Sequence, residues 1–177
     1  PACELQPASL DFGAVAPGQS RDMSFVIRNT GSIPFAGNVA LTSSDFLLVS
    51  GGGAFSLPAG QQRTVTVRFR PAAPGIKSCT VTTGSVCGDV LCQGTAALPQ
   101  CRVDPAVLEF GLLAVGGRAD RTFAVTNDGI VAFTVAPSEA CAGFSLVEGG
   151  SATILSTGQS QAVTVRCVPT APGDMEC

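Results

Sequence analysis

The chain has 177 residues, a net charge of −3, ten Lys and Arg, eight Cys and no His, Trp or Tyr. The basic residues form no run or stripe, which argues against nucleic acid as a partner, because affinity there comes from cations clustered on phosphates. No apolar stretch approaches the roughly 20 residues that cross a bilayer as a helix, and the lack of His removes the commonest general base, metal ligand and pH switch.

The chain opens at Pro1 without an initiator Met and holds no signal peptide within its residues, which reads as a processed or excised start, any signal peptide or anchor lying outside these residues. The opening segment Cys3, Pro7, Ala8, Leu10, Phe12, Gly13 returns 98 positions later as Cys101, Pro105, Ala106, Leu108, Phe110, Gly111. That register holds without a gap from Cys3/Cys101 to Cys79/Cys177, with 31 of 77 aligned positions identical. A fixed repeat of this size means tandem copies of one folding unit, so two domains are expected, 1–98 and 99–177. The first copy runs on past Cys79 to Leu98, whereas the second reaches only Cys177. The second domain is therefore expected to lack its last strands.

Next in order, Met23, Phe25 and Ile27 alternate with polar residues, the period-2 signature of a half-buried strand, and Phe123 and Val125 repeat it. Asn29-Thr30-Gly31 and Asn127-Asp128-Gly129 end these strands with residues that favour turns. The glycines at 51–53 and 149–150 mark a later turn and lack the Gly-Lys-Ser/Thr of a phosphate loop. Val65, Val67 and Phe69 form another inward stripe, mirrored by Val163, Val165 and Cys167. Proline-rich exits follow at 71–75 and 169–173, since Pro cannot donate to a ladder. Residues 78–83 and 90–94 read as a final hairpin of the first copy. Matched phenylalanines (Phe12, Phe25 and Phe46; Phe110, Phe123 and Phe144) are the expected core. Short strands at intervals of roughly 8–12 residues, with turn signals between them, predict an all-β fold of two immunoglobulin-like sandwiches.

The combination Leu10, Phe12, Gly13, Val15, Gly18, then Phe25, Ile27, Asn29, Gly31, then Gly60, Gln61, Val65, Val67, Phe69, Pro71, Gly75 resembles the ASH (abnormal-spindle/Hydin-type) domain. The second copy carries most of the pattern, including Leu108, Phe110, Gly111, Phe123, Asn127 and Gly129, and departs from it at Cys167. The resemblance implies a seven-stranded sandwich related to major sperm protein and PapD-like folds, used as scaffold or interaction module. It brings no catalytic residues. Its bacterial versions occur as tandem extracellular repeats in choice-of-anchor proteins.

Cysteine-only zinc sites usually show paired short knuckles, and the spacing of Cys87 and Cys92 is a weak match. Disulfides are the expected use, which implies a secreted, periplasmic or cell-surface location. Pairing Val81 with Val90 sets Cys79 opposite Cys92 and leaves Cys3 for Cys87. The rival arrangement is Cys3–Cys79 with Cys87–Cys92, leaving Cys101–Cys177 to close the second copy. Cys141 and Cys167 stand where the first copy has Ser43 and Phe69, so they are expected to bond to each other. Cys101 and Cys177 are then unpaired or intersubunit. Asp22 and Asp120 lack the acidic neighbours that calcium needs.

No catalytic, cofactor or metal site is expected, and the chain is read as a non-enzyme. The leading expectation is a structural protein: a disulfide-stapled segment of a bacterial surface or extracellular stalk or filament. Its partners would be further copies or neighbouring repeats, with no nucleic acid and no direct membrane insertion. One alternative is an adhesin holding a glycan or protein through the divergent stretches 37–44 and 135–142. The other is a reduced, cytosolic cilium- or centrosome-type scaffold. Three readings of the missing strands stand side by side: the chain continues, a neighbouring subunit donates a strand, or the tail closes locally through Cys101–Cys177. The short, proline-containing linker 95–100 predicts restricted motion between the copies.

Overall fold

The computed structural model describes residues 2–177, and all regular structure in it is β. The chain divides into two compact units, the first ending at Leu98 and the second running from Pro99 to Cys177.

In the first unit, β1 (Cys3–Gln6), β3 (Arg21–Asn29), β7 (Gln62–Phe69) and β5 (Phe46–Ser50) form one antiparallel sheet, in the order β1-β3-β7-β5. Alternation sends Phe25 and Ile27 of β3, and Val65, Val67 and Phe69 of β7, to the inner face, where all five are fully buried. The opposing layer is built on β2 (Ser9–Val15), β9 (Val90–Ala96) and β8 (Gly75–Val81), in the order β2-β9-β8. Here β2 runs parallel to β9, and β8 antiparallel to it. A ribbon of β4 (Phe35–Val39) and β6 (Gly53–Leu57) joins this layer through a bridge between Ala40 and Thr82. The two layers share one core, with Leu10 and Phe12 from β2 packed among the side chains of β3, β7 and β9. At its centre the rings of Phe12, Phe46 and Phe69 meet at centroid distances of 4.7–5.7 Å.

Two side chains fix the details of this packing. Asn29 is fully buried. Its amide donates to the carbonyls of Ile33 and Leu57 at 2.9 Å, and its oxygen accepts from Gly31 N–H at 3.0 Å. That satisfies a polar group whose burial would otherwise be costly. On β9, Gly94 lies against Phe69, and a Cβ there would come within 2.6 Å of the ring. The Phe69 ring therefore requires the smallest residue on the adjacent strand.

The second unit repeats the first sheet: β10 (Cys101–Asp104), β11 (Ala119–Asn127), β15 (Ser160–Cys167) and β13 (Phe144–Glu148), in the order β10-β11-β15-β13. The ribbon recurs as β12 (Phe133–Val135) with β14 (Thr153–Leu155). Asn127 repeats the Asn29 network, donating to Val131 and Leu155 and accepting from Gly129. The β2-type strand does not recur. Residues 107–113 keep the Leu-x-Phe-Gly pattern yet are not a strand, because β9, the ladder partner of β2, has no counterpart among the described residues. Residues 173–177, equivalent to the start of β8, are likewise not a strand.

This corrects the expected core. Phe12, Phe25 and Phe46 are buried to 1% exposure or less, but Phe110, Phe123 and Phe144 are only partly buried. The fully enclosed apolar side chains of the second unit reduce to Val125, Leu155, Val163 and Cys167. A sandwich with one layer incomplete cannot exclude water from its inner face.

Candidate functional site

The cysteines divide into two bonded pairs and four thiols. Cys3 and Cys87 are joined, with Cα atoms 5.1 Å apart and 84 residues between them in sequence. Because β1 carries the first cysteine and the β8–β9 loop the second, the bond ties the opening strand to the last hairpin across the two layers. Cys79 and Cys92 occupy directly opposed positions on β8 and β9. They are thiols in the structure, where a bond between them was the expectation. Burial pushes the Cys92 thiol up to about 12, reinforced by the adjacent Cys79. Burial also raises the Cys79 thiol. Thiolate is the species that exchanges into disulfides, and the enclosure that brings these two sulfurs together suppresses it.

In the second unit Cys141 is bonded to Cys177, with Cα atoms 5.7 Å apart, and not to Cys167. The reason lies in the layers. Cys167 ends β15, opposite Ala119 and Phe144, and its side chain is buried in the inner face. Cys141 precedes β13, on the path leading out of the ribbon. In the first unit that path runs antiparallel to the end of β8, through the Ala40–Thr82 bridge. Continuing the register by three residues on each strand brings Ser43 opposite Cys79, and these are the equivalents of Cys141 and Cys177. The rival expectation, closure through Cys101–Cys177, also fails: Cys101 is an exposed thiol. Its equivalent in the first unit, Cys3, bonds to a loop cysteine at 87 whose equivalent position is not among the described residues.

Cys167 is buried on the inner face of its sheet, while Cys101 on β10 is exposed. Phe110 and Phe144 meet edge to face at 5.7 Å and 68°, almost the geometry of Phe12 and Phe46, at 5.6 Å and 66°. The third ring of the first-unit trio, Phe69, is replaced by Cys167, so the aromatic cluster has a missing member. On the outer face of the same sheet, Asp120 accepts two hydrogen bonds from Arg166 at 2.7 and 2.8 Å. Asp22 does the same with Arg68. These carboxylates are ion-pair partners. Among the described residues no cluster of His, Cys, Asp and Glu is arranged to hold a metal ion.

No family model matches the chain, and no curated protein matches it. Solved structures of similar fold do exist. An ASH/PapD-like domain of human CEP192 aligns at 13% identity and a TM-score of 0.46, over 54% of this chain and 84% of its own. A protein of unknown function from Porphyromonas gingivalis W83 aligns at 17% identity and a TM-score of 0.44, over 94% of this chain and 83% of its own. The E. coli chaperone DraB aligns at 13% identity and a TM-score of 0.38, over 96% of this chain and 87% of its own.

Sequence reasoning placed the stripes that line the inner face but missed how they are coupled across the layers. The dependence of Gly94 on Phe69 is one case. A second is Gly37, where a Cβ would fall 2.6 Å from the Phe55 ring on the paired strand. The equivalent pair in the second unit is Val135 opposite Thr153. The volume of one Phe facing a Gly is spread over two side chains of similar size, a compensation visible in the sequence only once the register is known.

Proposed function

We propose that this chain is a structural segment of a bacterial extracellular or surface assembly, a stalk or filament. The observation that carries this reading is the tandem repetition of one unit: both copies build the same four-stranded sheet and the same buried asparagine network, and each is closed by a disulfide.

The two disulfides support an oxidising location. They also suit a tension-bearing role, because the Cys3–Cys87 bond encloses nearly the whole of the first unit within one covalent loop. The reading is non-enzymatic and needs no cofactor. Its partners are other subunits of the same assembly.

Immunogold electron microscopy of native, unfixed surface material, using antibodies to this chain, tests the proposal. Label spaced at a regular interval along linear structures is the expected result. Label confined to single dispersed particles overturns it.

A further inference from the structure

Tension along the chain enters the first unit ahead of Cys3 and leaves it through Leu98 into the second. Without a cross-link, the element loaded first on the entry side is β1, a four-residue strand at the edge of its sheet with a ladder on one side only. The Cys3–Cys87 bond changes that path. One sulfur belongs to the opening residue of β1, and the other lies in the loop that leads into β9, 84 positions further on. Force therefore crosses from Cys3 to Cys87 through covalent bonds, and β1 to β8 lie inside the closed loop, off the line of load. Only residues 88–98 stay in the path. Within them β9 is flanked by β2 on one side and β8 on the other. The bond thus moves the load from the most weakly held strand to one with ladders along both edges.

Chain geometry sets how far each state can stretch. Residues 88–98 drawn out fully span about 40 Å at roughly 3.3–3.6 Å per residue. The strand β9 is already extended over Val90–Ala96 and accounts for about 20 Å of that, so the bonded unit gains about 20 Å at most. With the bond open, the whole stretch from Cys3 to Leu98 can be drawn out, a gain of about 300 Å over the folded unit. We infer that the Cys3–Cys87 bond makes the first unit a redox-gated extension limiter, a nearly inextensible link while oxidised and a reserve of length once a dithiol reductant opens it. The inference deepens the stalk or filament reading and rests on it for the load. Both cysteines are half-buried, which leaves the sulfurs within reach of exchange. In the opening step a thiolate of the reductant attacks one sulfur and the other leaves as a thiolate, which takes up a proton. The reductant's second thiol then displaces the remaining cysteine as it closes its own disulfide, so two electrons and two protons pass to Cys3 and Cys87.

The test stretches the 177-residue chain in optical tweezers, between handles at its two ends and without reductant. The second unit, in which Cys141–Cys177 leaves residues 99–140 free to extend, is expected to give a contour-length step of about 150 Å. The first unit is expected to add no step above about 20 Å. Dithiothreitol supplied under constant force is expected to add about 300 Å from the first unit, besides roughly 130 Å held behind Cys141–Cys177. The variant carrying Cys3→Ala and Cys87→Ala is expected to release the 300 Å step with no reductant present, the second-unit step keeping its length. Should that variant not fold, the unaltered chain before and after dithiothreitol decides alone. A first-unit step well beyond about 20 Å in the unreduced chain overturns the inference, as does the absence of the long step after reduction. Either result leaves the stalk reading to the immunogold test, whereas dispersed label there removes the load and leaves these step lengths unchanged.

Discussion

Asp22 and Asp120 sit at matched positions on β3 and β11, each facing an arginine across the ladder, Arg68 on β7 and Arg166 on β15. The fork of each guanidinium reaches both oxygens of its carboxylate, the geometry in which an arginine pair is most specific. The hydrogen bonds from Arg68 hold the Asp22 carboxyl below the ordinary aspartate value of 3.8. Asp120 is held down in the same way by Arg166. Because the folded-state value is depressed, the pair stabilises the fold above the unfolded-state aspartate pKa. That contribution is lost as pH falls from there through the folded-state value. Both partners are solvated, so the effect on stability is small, but the titration itself is diagnostic. Carboxyl NMR should place the midpoints of Asp22 and Asp120 below 3.8, and Arg68→Gln should move Asp22 up while leaving Asp120 in place. An Asp22 midpoint unaffected by Arg68→Gln would remove the pair as the cause.

At the scale of the element, the same sequence pattern forms a strand in one copy and not in the other. Ser9–Val15 is a strand because β9 supplies a parallel ladder along it, from Ser9 opposite Leu91 to Val15 opposite Ala96. Residues 107–113 carry the matching Leu108, Phe110 and Gly111 and have no such partner. Amide exchange should therefore separate the two segments. Protection at Leu10 and Phe12 should approach that of the first-unit core, with Leu108 and Phe110 exchanging on the order of a hundredfold faster or more, as for segments that open locally. Equal protection would mean that the second segment finds a ladder of its own. The contrast also marks how far the sequence was legible. Alternation at Met23–Ile27 or Val65–Phe69 is local, so it revealed the strands, the sandwich and the repeat directly. Burial of Phe110, and the partner of Cys141, depend on strands distant in sequence. The first requires a covering layer, and the second follows a register set by the Ala40–Thr82 bridge. No local pattern announces either.

Across the whole molecule, the two units differ in how much holds each together. The first buries a shared two-layer core and closes a loop spanning 84 residues with Cys3–Cys87. In the chain-entropy account a loop of that length contributes about 4–5 kcal/mol by restricting the unfolded state. The second has one full sheet, a short ribbon, few enclosed side chains, and the loop of Cys141–Cys177 spanning 36 residues. Its loop contributes about 4 kcal/mol on the same account, so the two staples nearly cancel in the comparison and core burial decides the order. Calorimetry of the oxidised chain should show two transitions, with the second unit melting first. Reduction should lower the upper transition by roughly 20 °C or more, given a shift of about 4–8 °C per kcal/mol for a domain of this size. A single transition that reductant moves as a whole would show that the units unfold as one, and that the smaller core of the second unit is not the weak point of the fold.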